Sequence, residues 1–240
     1  MVWDVEPGAL DGKTRLHHLN LSRCNIVGGA EGIAQLLCEL QQLQEVTHLN
    51  LTCSLKAQID RLEGCTPPAA AYAALTASSK LQKLNIAGAF FPVGFWQHMF
   101  PVGRQLPHLR SLGISHISHP FSSMVAAPEG SRLVSCCPAL QSIKMEWSQY
   151  SEEVIEALQG LSELQELHIG MSRHAGFHAP ASLDGVQYLT GLRRLRVTLP
   201  DSAEEGLLLQ LTELKQLENL VWQGPTGCSK LGMFRLEQVG

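Results

Sequence analysis

The stretch Leu16-His17-His18-Leu19-Asn20-Leu21-Ser22-Arg23-Cys24-Asn25-Ile26 opens with three leucines spaced through a hexamer, and that hexamer recurs along nearly the whole chain. Further copies place Val46, Leu49 and Leu51; Leu81, Leu84 and Ile86; Leu109, Leu112 and Ile114; and Leu140, Ile143 and Met145 at the same spacing. The train ends with Leu164, Leu167 and Ile169; Leu192, Leu195 and Val197; and Leu217, Leu220 and Trp222. Successive starts lie 30, 35, 28, 31, 24, 28 and 25 residues apart. One such hexamer means little in a 240-residue chain that is 45% hydrophobic. Eight at near-regular spacing define a repeat array. Side chains alternate faces along a strand, so the second and third aliphatic residues point inward and their flanks point outward.

The segments between hexamers read as helices returning across the back. Ala30, Ile33, Leu36, Leu37, Leu40 and Leu43 recur at helical spacing. Ser151, Glu152 and Glu153 precede Val154, Ile155, Leu158 and Leu161, with the acidic pair placed to complement a helix dipole. Ser202 and Glu205 form a capping box ahead of Leu207, Leu208, Leu211 and Leu214. Ala69 to Ser78 is alanine-rich and entered through Pro67-Pro68, whereas Pro101 should break any helix between Phe95 and Leu106. Residues 55–68, 116–131 and 170–188 carry Pro, Gly, Ser and His and read as loops.

A train of hexamers with helices between them resembles the leucine-rich repeat proteins. That resemblance implies an α/β solenoid of about eight repeats, with a curved parallel β-sheet on the concave face and helices and loops on the convex face. It covers roughly residues 10 to 225 of a single domain, 1–240. The first repeat, with Cys24 at its ninth position, resembles the cysteine-containing repeats of F-box proteins, and Cys137-Pro138-Ala139-Leu140-Gln141-Ser142-Ile143 resembles their helix-end element. The spacings of 28 to 31 also resemble ribonuclease-inhibitor-like repeats. F-box proteins carry an adaptor-binding module before their repeats; fifteen residues precede Leu16, so the expectation is an isolated array or a fragment of a longer protein. The resemblance implies a non-catalytic protein-interaction module, such as the substrate-recognition part of a ubiquitin ligase. Similar repeats also occur in cytoskeletal and axonemal scaffolds, which is the alternative.

Composition narrows the field further. The net charge is −4 without a block of like charges, so the basic stripe of a nucleic-acid binder is missing. No apolar run reaches the ~18 residues of a membrane span, and Met1-Val2-Trp3-Asp4-Val5-Glu6 is not a signal peptide. Seven cysteines form no paired framework, which points to reduced thiols and a cytoplasmic setting. Phosphate-binding glycine loops, nucleophile elbows and zinc-protease helices are not found, and no cofactor is implied. A metal-dependent enzyme is the remote reading, resting on His116 with His119 and His174 with His178. Neither pair has a third ligand nearby in sequence, so both are expected to be loop histidines. Cys136 and Cys137 are adjacent rather than C-x-x-C, and read as small buried hydrophobes.

The outward strand positions form the candidate site. Between the second and third aliphatic residues stand Asn20, Asn50, Asn85, Gly113, Lys144, His168, Arg196 and Val221. Before the second stand His18, His48, Lys83, Ser111, Ser142, Glu166, Arg194 and Asn219. The N-terminal third is neutral, and its asparagines suggest hydrogen bonding along the strands. The C-terminal half is charged, with Lys144, Glu146, Glu166, His168, Arg194 and Arg196. Just beyond the strands, His116, Trp147 and Met171 fall at equivalent positions. Tryptophan beside an arginine pair matches the residue types enriched in interface anchors, and the arginines favour a partner with an acidic element. The central positions Leu112 and Leu167 should be fully buried. The first fifteen residues and the tail from Gly224 to Gly240, which holds Leu231, Met233, Phe234 and Leu236, are short, and at least one end is expected to be poorly capped.

Overall fold

In the computed structural model of the chain, residues 3–55, 67–89, 91–92, 94–114, 130–146, 152–170, 185–198, 211–223 and 232–234 are described. Eleven strands fall among them. Two short ones, β1 (Asp4–Val5) and β3 (Asn25–Ile26), pair in parallel. The others make one nine-stranded sheet. Its first four strands are β2 (His18–Asn20), β4 (His48–Asn50), β5 (Lys83–Asn85) and β6 (Ser111–Gly113). Next come β7 (Ser142–Glu146), β8 (Glu166–Gly170), β9 (Arg194–Thr198) and β10 (Asn219–Gln223), and β11 (Gly232–Phe234) closes the row. The eight hexamer strands run parallel in chain order, and β11 joins antiparallel beyond β10. The architecture is therefore mixed α/β around a long parallel sheet.

The register puts Leu19, Leu49, Leu84, Leu112, Ile143, Leu167, Leu195 and Leu220 in one row. Exposure along this row falls from 8% at Leu19 to 0% at Leu112, Ile143 and Leu167, then rises to 5% at Leu220. A central side chain is covered by a repeat on each side, Leu19 stands on an edge strand, and Leu220 is flanked by β9 and the short antiparallel β11. Leu112 and Leu167 are buried as expected.

Among the described residues, four α-helices and three 3-10 segments lie beneath the strands. Helix α1 (Gly29–Gln42) buries Ile33, Leu36, Leu37 and Leu40 as one stripe, with Leu43 buried just past its end. At Gly32 a Cβ would sit 1.8 Å from the Val27 carbonyl oxygen, so only glycine fits there. Helix α2 (Phe95–Met99) stops two residues before Pro101, as the backbone before a proline requires. Helix α3 (Gly130–Cys136) ends at the cysteine pair, and α4 (Glu152–Leu158) follows Ser151. The proposed capping box at Ser202 and Glu205 lies outside the described residues; Leu211–Glu213 is a 3-10 turn.

Ala69–Thr76 is a 3-10 helix. It buries Tyr72, Ala74, Leu75 and Thr76, and Tyr72 and Leu75 stand one 3-10 turn apart. Tyr72 meets Phe91 edge-on at 5.1 Å, and Phe91 stacks on Phe95 at 4.1 Å. Arg104 donates from Nη2 to the carbonyls of Thr76 and Ala77, satisfying the end of this helix.

Two features at the start of the chain escaped the sequence reading. The β1–β3 pair is reinforced by Asn25 Nδ2 donating to Asp4 Oδ1 at 2.9 Å. Glu39, only 3% exposed on α1, accepts hydrogen bonds from the backbone N–H groups of Gly8 (2.6 Å) and Leu10 (3.0 Å). One carboxylate thus ties the leading segment to the first helix. At the other end, the tail supplies strand β11.

All five cysteines among the described residues are free thiols. Cys136 and Cys137 are buried, and burial, with a smaller contribution from Cys136, pushes the Cys137 thiol up to about 12. Cys24 is half-buried, its Sγ directed at the Ser22 carbonyl at 3.9 Å. Among the described residues, no helix is long and apolar enough to cross a membrane.

Two substitutions check this description. Leu167→Ala should destabilise the protein by about 2–5 kcal/mol in chemical denaturation, through lost burial and a residual cavity. Glu39→Ala leaves the Gly8 and Leu10 amides without their acceptor and should cost about 1.5–3 kcal/mol. An unchanged denaturation midpoint for either would contradict the register or the tie it removes.

Candidate functional site

The outward rows of the sheet are held by an unbroken series of shared carbonyls. The His17 carbonyl accepts from both Thr47 and His48, and the Thr47 carbonyl from both Gln82 and Lys83. Gln82, Arg110, Gln141, Gln165 and Arg193 repeat the pattern, ending on Glu218 and Asn219, with every distance between 2.7 and 3.1 Å. Each repeat is locked to the next at the residue where its strand begins.

Strand length then divides the face in two. Asn20, Asn50 and Asn85 do not bond along the ladder, as the sequence suggested. Each turns its Oδ1 back to accept the backbone N–H two residues on, at Ser22, Thr52 and Ala87, all at 3.1 Å. Such side-chain turns compete with strand pairing, and these strands end at the asparagine. Gly113 continues the row, where a Cβ would come within 2.7 Å of Asn85 Oδ1. From Lys144 onward no asparagine intervenes, and the strands extend to five residues.

That longer half carries the predicted residues. Lys144, His168 and Arg196 pair in register across β7, β8 and β9, and Glu166 pairs with Arg194. Lys144, Arg194 and Arg196 are exposed. His168 is not presented as expected; it is 8% exposed, lying between the Lys144 and Arg196 strands. Glu166 is half-buried and accepts from Ser142 Oγ at 3.1 Å. Glu146 lies in β7 opposite Gly170, and nothing is described of its side chain. Trp147, Met171 and His116, the apolar part of the patch, lie outside the described residues.

A second feature was missed. The residue after each first aliphatic position, set aside when the strands were read, joins the preceding-leucine row to line a groove along the strand starts. Its walls are Gln82, Lys83, Arg110, Ser111, Gln141 and Ser142, continuing through Lys144, Gln165, Glu166, Arg193 and Arg194, with His48 at one end. The missed members, Gln82, Arg110, Gln141, Gln165 and Arg193, sit where the shared carbonyls fix the backbone. The hexamer spacing alone identifies them; what it lacks is the side on which they emerge.

At the neutral end, His18 and His48 stack with ring centroids 4.2 Å apart and planes 15° from parallel. Thr47 Oγ1 donates to the His17 carbonyl at 2.9 Å, so its contact with His48 Nδ1 at 2.9 Å is accepted from that ring nitrogen. Burial, then the neighbouring His18 and Lys83, holds the His48 pKa below the ordinary histidine range. Among the described residues, no three His, Cys, Asp or Glu side chains converge as metal ligands, and the loop histidines 116, 119, 174 and 178 lie outside them.

No family model matches the chain, and no curated protein matches it. Among solved structures it is similar to an internalin from Listeria monocytogenes, at 12% identity over 91% of this chain and 84% of that one, with a TM-score of 0.23. A score that low does not superpose two folds, so the architecture rests on this chain's own strand pairing.

The His48 environment makes a prediction with a definite sign. A histidine whose pKa is lower folded than unfolded contributes stability that is present above about pH 6.5 and lost as pH falls through that value. Wild type should therefore lose more melting temperature between about pH 7.5 and 5.5 than His48→Gln does. Equal losses would show that folding does not sense this ring.

Proposed function

We propose that the chain is a leucine-rich repeat solenoid of about eight repeats acting as a non-catalytic interaction module inside the cell. Its partner is another protein bearing an acidic element, held on the concave face by Lys144, Glu146, Trp147, Glu166, His168, Met171, Arg194 and Arg196. The observation that carries this reading is the register that brings exposed Lys144, Arg194 and Arg196, with half-buried Glu166, onto one strand-rigid face around buried His168. Arginine forks suit carboxylates in bidentate fashion, and a backbone locked by the ladder loses little freedom when they bind. The F-box-like first repeat further suggests substrate selection for a ubiquitin ligase, with the partner as substrate. The free thiols support a reducing setting.

The test is a quantitative pull-down from native lysate with wild type, Arg194→Ala, Arg196→Ala and Asn20→Ala, followed by binding measurements on each recovered protein. The arginine variants should weaken binding by roughly 2 kcal/mol, about thirtyfold, without lowering thermal stability. Asn20→Ala, at the far end of the sheet, should bind normally. Full retention by both arginine variants would move recognition off this face.

A further inference from the structure

We infer that the groove along the strand starts binds an extended acidic peptide lying across the strands, with Lys83, Arg110, Lys144 and Arg194 as its carboxylate-binding residues. This rests on the reading of the chain as an interaction module; it shares Lys144 and Arg194 with the face proposed above and moves the contact to the strand starts, where Lys83 and Arg110 join them.

Charge is the first reason. Five exposed cations, Lys83, Arg110, Lys144, Arg193 and Arg194, line this groove with one half-buried acid, Glu166, in a chain whose net charge is −4. Among the described residues, Lys83, Arg110, Lys144 and Arg194 have no ion-pair partner, and Arg193 has only an exposed contact with Glu218 at 3.5 Å. Concentrating unneutralised cations on one line of an acidic protein carries a repulsive cost that an acidic ligand removes.

Geometry is the second. The lining residues come from six consecutive repeats, His48 to Arg194. At ~4.8 Å per strand the groove runs about 24 Å, the length of roughly seven residues of extended chain. Because the shared carbonyls fix every strand start, the cations form a preorganised row, which lowers the ordering cost of binding.

The third reason separates a peptide from other polyanions. Gln82, Gln141 and Gln165 stand in the same row as Arg110 and Arg193. A carboxamide both donates and accepts, which matches the amides of a peptide backbone and has no counterpart in a phosphate chain. Glu166 interrupts the positive row, and the chain's net charge repels a nucleic acid at long range. The groove is thus suited to spaced carboxylates on an amide backbone.

The experiment uses the full chain and a fluorescein-labelled peptide of about nine residues alternating glutamate and serine, long enough to span the groove. Anisotropy should show binding at low salt that weakens as ionic strength rises. Lys83→Glu with Arg110→Glu should weaken it at least about tenfold, and the milder Lys83→Gln with Arg110→Gln should fall between. Lys13→Glu, an exposed cation on the leading segment and outside the groove, should change it by no more than about twofold. Circular dichroism checks that each variant is folded; should the charge reversals fail to fold, the glutamine pair decides. Unchanged binding by the groove variants, or tighter binding of polyphosphate or a single-stranded oligonucleotide than of the peptide at physiological salt, overturns the inference. If a lysate partner is lost with Arg196→Ala but kept by the groove variants, this inference falls while the face-binding proposal stands. If neither set affects that partner, both fall.

Discussion

The structure depends on a single repeated constraint, the carbonyl at each strand start that accepts two amides from the following repeat. From His17 to Arg193 these carbonyls form a continuous series, each link between 2.7 and 3.1 Å. A slip of one residue at any junction would break both hydrogen bonds and turn the row from Leu19 to Leu220 toward solvent. Backbone pairing and leucine burial therefore enforce the same register. Neither would suffice alone, because short parallel strands of three residues hold few hydrogen bonds and aliphatic contacts are not directional.

That constraint turns a linear sequence into a surface with two regions. Where asparagine follows the central leucine, its side chain accepts the amide two residues on and the strand ends at the asparagine. Where lysine, histidine or arginine stands instead, the strand runs on and the polar face widens. The outward position after the central leucine thus sets the charge that each strand presents. The same locked backbone carries both the strand-centre patch and the groove at the strand starts, so a ligand on either meets side chains already spaced by the fold.

Much of this was legible in the residues. The aliphatic hexamers yielded the strands, their order, their register and the burial of Leu112 and Leu167, because an inward position needs an apolar side chain wherever it recurs. Pro101 marked the limit of α2, and the stripe from Ile33 to Leu40 marked α1, since both effects act within a few residues. The lysine and arginines of the C-terminal half were visible as outward positions. Less was visible wherever the deciding partner is distant. Glu39 looks like an ordinary helix carboxylate until Gly8 and Leu10 close on it from about thirty residues away. His168 looks exposed until the strands of Lys144 and Arg196 flank it.

What the sequence determined by itself is the periodic part: which residues face inward, where strands begin, and that the back must return as helix or turn. These follow from local rules, because alternation and helical period are properties of a few consecutive residues. Tertiary structure alone decided which charges become neighbours and on which side they emerge. Arg110 and Arg193 stand at an unremarkable position after an aliphatic residue, and stacking set both on one groove with Lys83 and Lys144. Two residues 24 to 35 positions apart meet only when the ladder fixes their strands side by side. The electrostatic character of this surface is accordingly a property of the register and not of any one repeat.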